Sequence, residues 1–315
     1  MSKEKLTVLK SGDLWVEIND FGGELSRIMD RKTGREILWN ADPAVWNRHA
    51  PILFPFVGKC YEKAYTYRGK TYSMPTQHGF ARDMEFQKLT ENDQEVWHEL
   101  CATPETMEKY PFLFRLQVGH RVEGRKIHVM WKVVNEGEDE MLFSIGGHPA
   151  FLIPEGHSLY DFSLQFNKKD FLHYEAPGED GYEDPTLAGT LPLQEGKVAV
   201  TPGFFHDTLT YMFDKGQVNK ADLLVQDKPY ITMLCDGFPY LAVWTVEETH
   251  PFICLEPWYG RCATKGFQGE LKEKAGILSL EGHQTFETEY IIEVHEYTEY
   301  EYRAEKRGGM RCTRF

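Results

Sequence analysis

Positive charge is scarce in this chain. Its 315 residues carry 35 Lys and Arg against 49 Asp and Glu, a formal net charge of −14, so nucleic acid, whose binding depends on neutralising phosphates, is excluded as the expected partner. Long apolar runs are also lacking. Nowhere do about 18 uncharged apolar residues follow one another, the length a membrane-spanning helix needs, and the opening MSKEKLTVLKSGD has charge but no apolar stretch of the signal-peptide kind. The expectation is a chain that is neither exported by a signal peptide nor inserted in a membrane. The six cysteines, Cys60, Cys101, Cys235, Cys254, Cys262 and Cys312, are scattered with no C-x-x-C pair. That removes the zinc ribbon and the dense disulfide framework, and points to a reducing cytoplasm. Helical periodicity is thin: only PETMEKYP, Pro104 to Pro111, reads as a short helix bracketed by prolines, too short for the crossover of a parallel α/β sheet. G-x-G-x-x-G, P-loop, H-E-x-x-H and G-x-S-x-G are absent, so nucleotide cofactors, zincin chemistry and the hydrolase elbow have no sequence support.

What is present is strand signal and aromatic mass. Aromatic residues make up 14% of the chain, and they favour strands or stack on flat ligand faces. DLWVEIND (Asp13 to Asp20) alternates, and ELSRIMD (Glu24 to Asp30) followed by RKTG and REILW reads as a hairpin. KAYTY-RGK-TYSM forms a second hairpin, and FRLQVGHRV with KIHVMWKVVN, joined through Glu123-Gly124-Arg125, a third with period-two apolar placement on both arms. YDFSLQF, ADLLVQ, YITMLC, YLAVWTV and FETEYIIEV add strands. Two average domains would fit the length, but all-β sandwiches of about 200–250 residues are common as single domains. With no repeat, low-complexity stretch or linker, the expected fold is all-β, one large antiparallel β-sandwich over residues 1–300. Residues 301–315, with Arg303, Lys306, Arg307, Arg311 and Arg314, read as a basic, solvated tail.

Three compact clusters can carry chemistry. MPTQHGFARDMEF sets His78 beside Gly79 and Phe80, with Arg82 four residues on; glycine admits close backbone approach and an aromatic neighbour can wall a pocket. FSIGGHPAF places His148 between two glycines and a proline, at a strand end or sharp turn from which side chains project into clefts. In PFICLEPWYGR, Glu256 follows Ile253, Cys254 and Leu255 and precedes Pro257, Trp258 and Tyr259. That setting desolvates a carboxylate, raising its pKa and improving it as a base. Singly, each has a plainer reading: a histidine bonded to backbone carbonyls, or a structural ion pair. Tyr65, Tyr67 and Trp131 read as strand packing. A metal site of His78, His148, His206 and Glu256 is conceivable, but no short-range ligand pair supports it.

Taken together, R-H-A-P-I-L-F-P-F-V-G-K, Y-x-Y-x-G-K-x-Y-x-M, Q-H-G-F-A-R, G-G-H-P-A-F and C-L-E-P-W-Y-G resemble the aldose 1-epimerase (galactose mutarotase-like) family, nearest its LacX-like branch, over residues 5 to 297. The resemblance implies a mutarotase supersandwich, a sugar cleft on its concave face and no required cofactor or metal. It implies Glu256 as catalytic base, with His148 and His78 as the catalytic histidines. Arg48, Lys59, Arg82 and Asp207, in FFHDTL, are implied as sugar-binding groups, and Phe80, Trp258 and Tyr259 as cleft walls. Lys59 stands where relatives often carry Arg, exchanging a fork of donors for a point charge. The activity so implied is interconversion of the α and β anomers of a free aldohexose, with Glu256 ionised while His148 is protonated. Two other readings stand beside it: a hexose-6-phosphate mutarotase using a basic end of the cleft, and a silent carbohydrate-binding module. The expected partner is a monosaccharide, and the expected state a monomer or homodimer.

Overall fold

The computed structural model describes residues 6–205, 210–246 and 251–296. Short turns join many of its strands, and every pairing between its strands is antiparallel. A nine-stranded sheet runs in the order Lys197–Ala199, Phe162–Phe166, Lys220–Val225, Lys228–Leu234, Thr285–Val294, Lys126–Asn135, Phe114–Glu123, Glu95–Cys101, Gln87–Glu91. A six-stranded sheet is ordered Thr210–Phe213, Tyr240–Trp244, Phe252–Tyr259, Ile145–Gly147, Ile52–Leu53, and Ala150–Leu152 also pairs with Phe252–Tyr259. Leu6–Lys10, Leu14–Asn19 and Glu24–Asp30 form a third, three-stranded sheet.

The clearest expected hairpin forms as read. Phe114–Glu123 pairs with Lys126–Asn135 residue for residue, and Gly124 turns the chain at φ 57°. Ala64–Tyr67 pairs with Lys70–Ser73 through Arg68 and Gly69, both at positive φ, the backbone that a two-residue hairpin turn requires. The short helix spans Pro104–Lys109, with the Thr103 side chain capping it. The first hairpin differs. Glu24–Asp30 takes Leu14–Asn19 as its ladder partner, while REILW touches it only near Glu36 and Ile37 before Leu38 bridges to Phe151. A partner already on one edge, and a long-range partner for Leu38, outweigh the local turn signal.

Strand alternation divides the six-stranded sheet into two faces. Tyr211, Phe213, Leu241, Val243, Ile253 and Leu255 join the main core, together with Leu116, Val118, Val129, Trp131, Ile231 and Ile292 of the nine-stranded sheet. The intervening residues, Met212, Ala242, Cys254 and Trp258, belong to separate small clusters on the other face. The aromatic excess is thus largely packing: Trp131 stands edge-on to Phe238 and Tyr290, and Tyr65 stacks on Tyr72. Among the described residues no helix is long and apolar enough to cross a membrane, and Cys60, Cys101, Cys235, Cys254 and Cys262 are free thiols.

Candidate active site

Backbone register brings the site together. Ile145 pairs with Tyr259 and Gly146 with Trp258; beyond Pro149, Ala150 pairs with Cys254 and Phe151 with Ile253. The same register on both sides of the break sets His148 opposite Glu256, and the two side chains meet with Nε2 of His148 3.2 Å from Oε2 of Glu256. Proline donates no ladder bond, and the ladder is interrupted there, between Gly146 and Ala150. The two glycines before it serve neighbours within the protein. A Cβ on Gly146 would lie 2.5 Å from the Trp258 indole, and one on Gly147 2.6 Å from the Tyr290 hydroxyl. Gly146→Ala should therefore push Trp258 off its seat and destabilise the fold by about 1–3 kcal/mol, read as a lowered thermal midpoint. An unchanged midpoint would show that the indole has room to move.

His78 enters from a different element. Its backbone N–H donates to the Gly58 carbonyl at 2.7 Å, and its Nδ1 accepts from the Gly58 N–H at 3.1 Å. A backbone amide can only donate, so Nδ1 is unprotonated in that contact and the neutral ring carries its proton on Nε2. The His78 and His148 rings meet edge-on, 5.5 Å between centroids. Gly79 is held at φ 69° with no room for a Cβ, which would lie 2.2 Å from the Phe54 carbonyl oxygen. The Q-H-G turn is therefore a backbone requirement.

Burial sets the charge state. It lowers His148 to about 3, with the nearby Arg82 acting in the same direction, and holds His78 well below the ordinary histidine value, aided by Arg82, His148, Arg48 and Lys59. Burial raises Glu256 well above the usual carboxylate range, and only the Trp258 indole opposes it. Burial thus favours the neutral form of each partner, a protonated Glu256 carboxyl and a neutral His148 ring. The ionised Glu256 and protonated His148 expected from the sequence hold the same number of protons, differently placed. Desolvation opposes each of the two buried ions.

The remaining expected residues divide. Arg82 donates to the Gln77 carbonyl and lies 3.8 Å from Asp83; Arg48 holds Asp83 at 2.6 Å and also donates to the Arg82 carbonyl. Arg82 is lowered to about 10, by burial and by Arg48, and both guanidiniums help to lower His78. The Lys59 ammonium donates to the Asp180 carbonyl at 2.7 Å. Trp258 shares the Glu256 face, as their two-residue spacing demands, and its indole N–H makes no aligned hydrogen bond. Two expected cleft walls lie elsewhere. Phe80 packs on Tyr110 and Phe114. Tyr259, one residue out of phase with Trp258, packs on Phe238 and Phe286 and donates to the Gly237 carbonyl. His206 and Asp207, and the basic tail, lie outside the described residues.

Reading the sequence alone missed three things. The rings flanking His148 are Trp46 (4.9 Å between centroids) and Trp244 (5.2 Å); the alternation of YLAVW already placed Trp244 on one face with Ala242. Cys254 shares that face with Glu256, and its thiol lies within 4.8 Å of the ligating atoms of His148 and Glu256. The third is a polar group across the floor. Glu256 pairs with Ala242, Ala242 with Met212 and Met212 with Glu175, so Glu175 lies three strand spacings away, about 14 Å. Arg261 binds it at 3.2 Å and Glu183 at 3.1 Å.

Comparison with known proteins agrees with this architecture. Residues 5–270 match the aldose 1-epimerase family. The chain belongs to that family. It is 31% identical to the chromosomal LacX protein of Lactococcus lactis subsp. lactis, over 91% of this chain and 98% of that one. Its fold matches the galactose mutarotase related enzyme from Lactobacillus acidophilus with a TM-score of 0.86 at 28% identity, covering 93% of this chain and 98% of that one. A galactose mutarotase-like protein from Lactobacillus casei matches with a TM-score of 0.84 at 27% identity, covering 92% and 100%. An aldose 1-epimerase family member with this all-β sandwich is thus established, and the family points to isomerase chemistry.

Proposed function

We propose that this aldose 1-epimerase family member interconverts the α and β anomers of a free aldohexose such as glucose or galactose. The observation that carries the reading is the 3.2 Å approach of Glu256 and His148 on a cleft face shared with Trp258. The reaction needs a base at the anomeric hydroxyl and an acid at the ring oxygen, two atoms bonded to one carbon, so the base and acid must themselves be neighbours. For turnover the shared proton passes from Glu256 to His148. Glu256 then takes the anomeric hydroxyl proton, His148 gives its proton to the ring oxygen, the bond from C1 to the ring oxygen breaks and the C1 carbonyl forms. Rotation about C1–C2 and closure with the roles reversed returns the other anomer and both protons. No proton need enter from solvent, and each positioned transfer is worth on the order of 10²–10⁴-fold. The Nε2–H of neutral His78 supplies a fixed donor to a sugar oxygen beside the pair.

Arg82, Arg48, Lys59 and Asp207 are proposed to hold ring hydroxyls, with Glu175 and Arg261 at the far end of the floor. Arg48, Lys59 and Arg82 already have carboxylate or carbonyl partners, and this favours a neutral sugar over a phosphorylated one. NMR saturation transfer between anomers, with glucose, galactose and glucose 6-phosphate side by side, tests the reading. Faster exchange of a free hexose is expected. Exchange of the phosphorylated sugar alone would replace the substrate, and thermal protection by a sugar without exchange would make the protein a binding module.

A further inference from the structure

The acid–base pair has a third neighbour that the proton chemistry does not use. Cys254 and Glu256 are two residues apart on one strand and so project from the same face, and His148 faces Glu256 across the ladder. A ring nitrogen of His148, the Cys254 thiol and a Glu256 carboxylate oxygen lie within 4.8 Å of one another, all three residues buried. Nδ1 of His148 is buried without an aligned hydrogen bond, while Oε2 of Glu256 faces Nε2 of the same ring at 3.2 Å. A sulfur, an imidazole nitrogen and a carboxylate oxygen this close together make a three-ligand set of the kind that zinc sites use.

We propose that Cys254, Glu256 and His148 bind a thiophilic divalent cation of the zinc class, and that the bound ion excludes the sugar and silences the acid–base pair. The donor set selects the ion: a thiolate and an imidazole suit zinc or cobalt, whereas magnesium and calcium want oxygen ligands. Charge balances. The thiol and the carboxyl each lose a proton to solvent, the two anionic ligands offset the two positive charges of the ion, and neutral His148 adds a lone pair. The buried site thus gains no net charge, which would otherwise be costly. Holding the three atoms on one ion draws them together from a spacing of up to 4.8 Å. It also occupies the Glu256 oxygen and the His148 nitrogen that the reaction needs. The binding half of the proposal stands without the mutarotase reading; the silencing half rests on it.

The test titrates the full chain with Co2+ as a spectroscopic stand-in and with Zn2+ by calorimetry. One ion per chain is expected, with a thiolate-to-cobalt charge-transfer band that Zn2+ abolishes and Mg2+ does not. Cys254→Ala should lose the band and bind Zn2+ on the order of 100-fold more weakly or worse, since even outer-shell partners of a metal are worth about 10–100-fold. A variant lacking Cys101, which is exposed, and Cys312 should keep the band. Anomer exchange by the unaltered chain should stop with Zn2+ and return with a chelator, and exchange by Cys254→Ala should resist the metal. If Cys254→Ala does not fold, Cys254→Ser, which keeps nearly the same volume, replaces it and should lose the band. Absence of the band, or its survival in the Cys254 variant, would overturn the site. Binding with undiminished exchange would overturn the silencing alone, and a chain with no exchange at all would count against the mutarotase reading and not the site.

Discussion

Glu256→Gln is expected to cut anomer exchange by on the order of 10²–10⁴-fold, the contribution of a positioned base, while making the protein more stable at neutral pH. The two effects share a cause. Glu256 is buried at 1% exposure in a setting that opposes its charge, so its pKa is well above the ordinary value. The folded chain therefore binds a proton there that the unfolded chain has released. Stability is lost as pH rises from the unfolded value near 4.5 toward the folded one. Glutamine has the shape of the protonated acid and does not titrate, and its gain should be about 1–3 kcal/mol, the range for a buried polar group poorly compensated by its surroundings. The gain should be present at pH 7 and vanish below about pH 4.5, a dependence that removal of an ordinary packing defect would not produce. Denaturant unfolding of both proteins at neutral and acid pH reads it. Retained exchange, or a stability difference independent of pH, would remove Glu256 from its role.

Acid should unfold the protein through its histidines. His78, His98, His120 and His148 are all buried, and burial lowers each of them, with His120 and His148 reaching about 3. Unfolded histidines take up protons near pH 6.5, so below that value the unfolded chain binds protons that the folded chain refuses, and stability falls with pH. At about pH 5 His120 and His148 each contribute a loss of about 2 kcal/mol. Together that is a large part of a typical total of about 5–15 kcal/mol. Glu256 works in the opposite direction over the same interval and offsets part of the loss, so Glu256→Gln should show the steeper decline. His120→Phe, in the core and away from the cleft, should flatten the acid slope without touching catalysis. Equal thermal midpoints at pH 7 and pH 5 would contradict the assignment of neutral buried histidines.

What was legible in the sequence was local. The Arg68-Gly69 and Gly124 turns lie between strands adjacent in the chain, so alternation and turn chemistry suffice. The short helix between prolines is local in the same sense. Lys228–Leu234 beside Thr285–Val294 is not, because its partner lies far along the chain and many apolar strands could have taken the place. Glu256, His148 and His78, the trio proposed here as catalytic, were singled out through motifs that resemble a family, but the geometry of Glu256 and His148 depends on a ladder between residues about 100 positions apart. The cleft walls failed for a simpler reason. Trp258 and Tyr259 are adjacent and cannot face the same way on a strand, while Trp244, on the neighbouring strand, can. The desolvation that opposes an ionised pair depends on how deeply the neighbours bury it, which no spacing reveals.

The central claim is that Glu256 and His148 form one proton-sharing pair that opens and closes a sugar ring. The most direct measurement is NMR exchange between the anomers of glucose and galactose at neutral pH, comparing the unaltered chain with His148→Asn, which keeps a polar side chain but no titratable one. The prediction is exchange well above the buffer rate for the first protein and at the buffer rate for the second, with both folded by circular dichroism. Exchange by His148→Asn at the rate of the unaltered chain would contradict it.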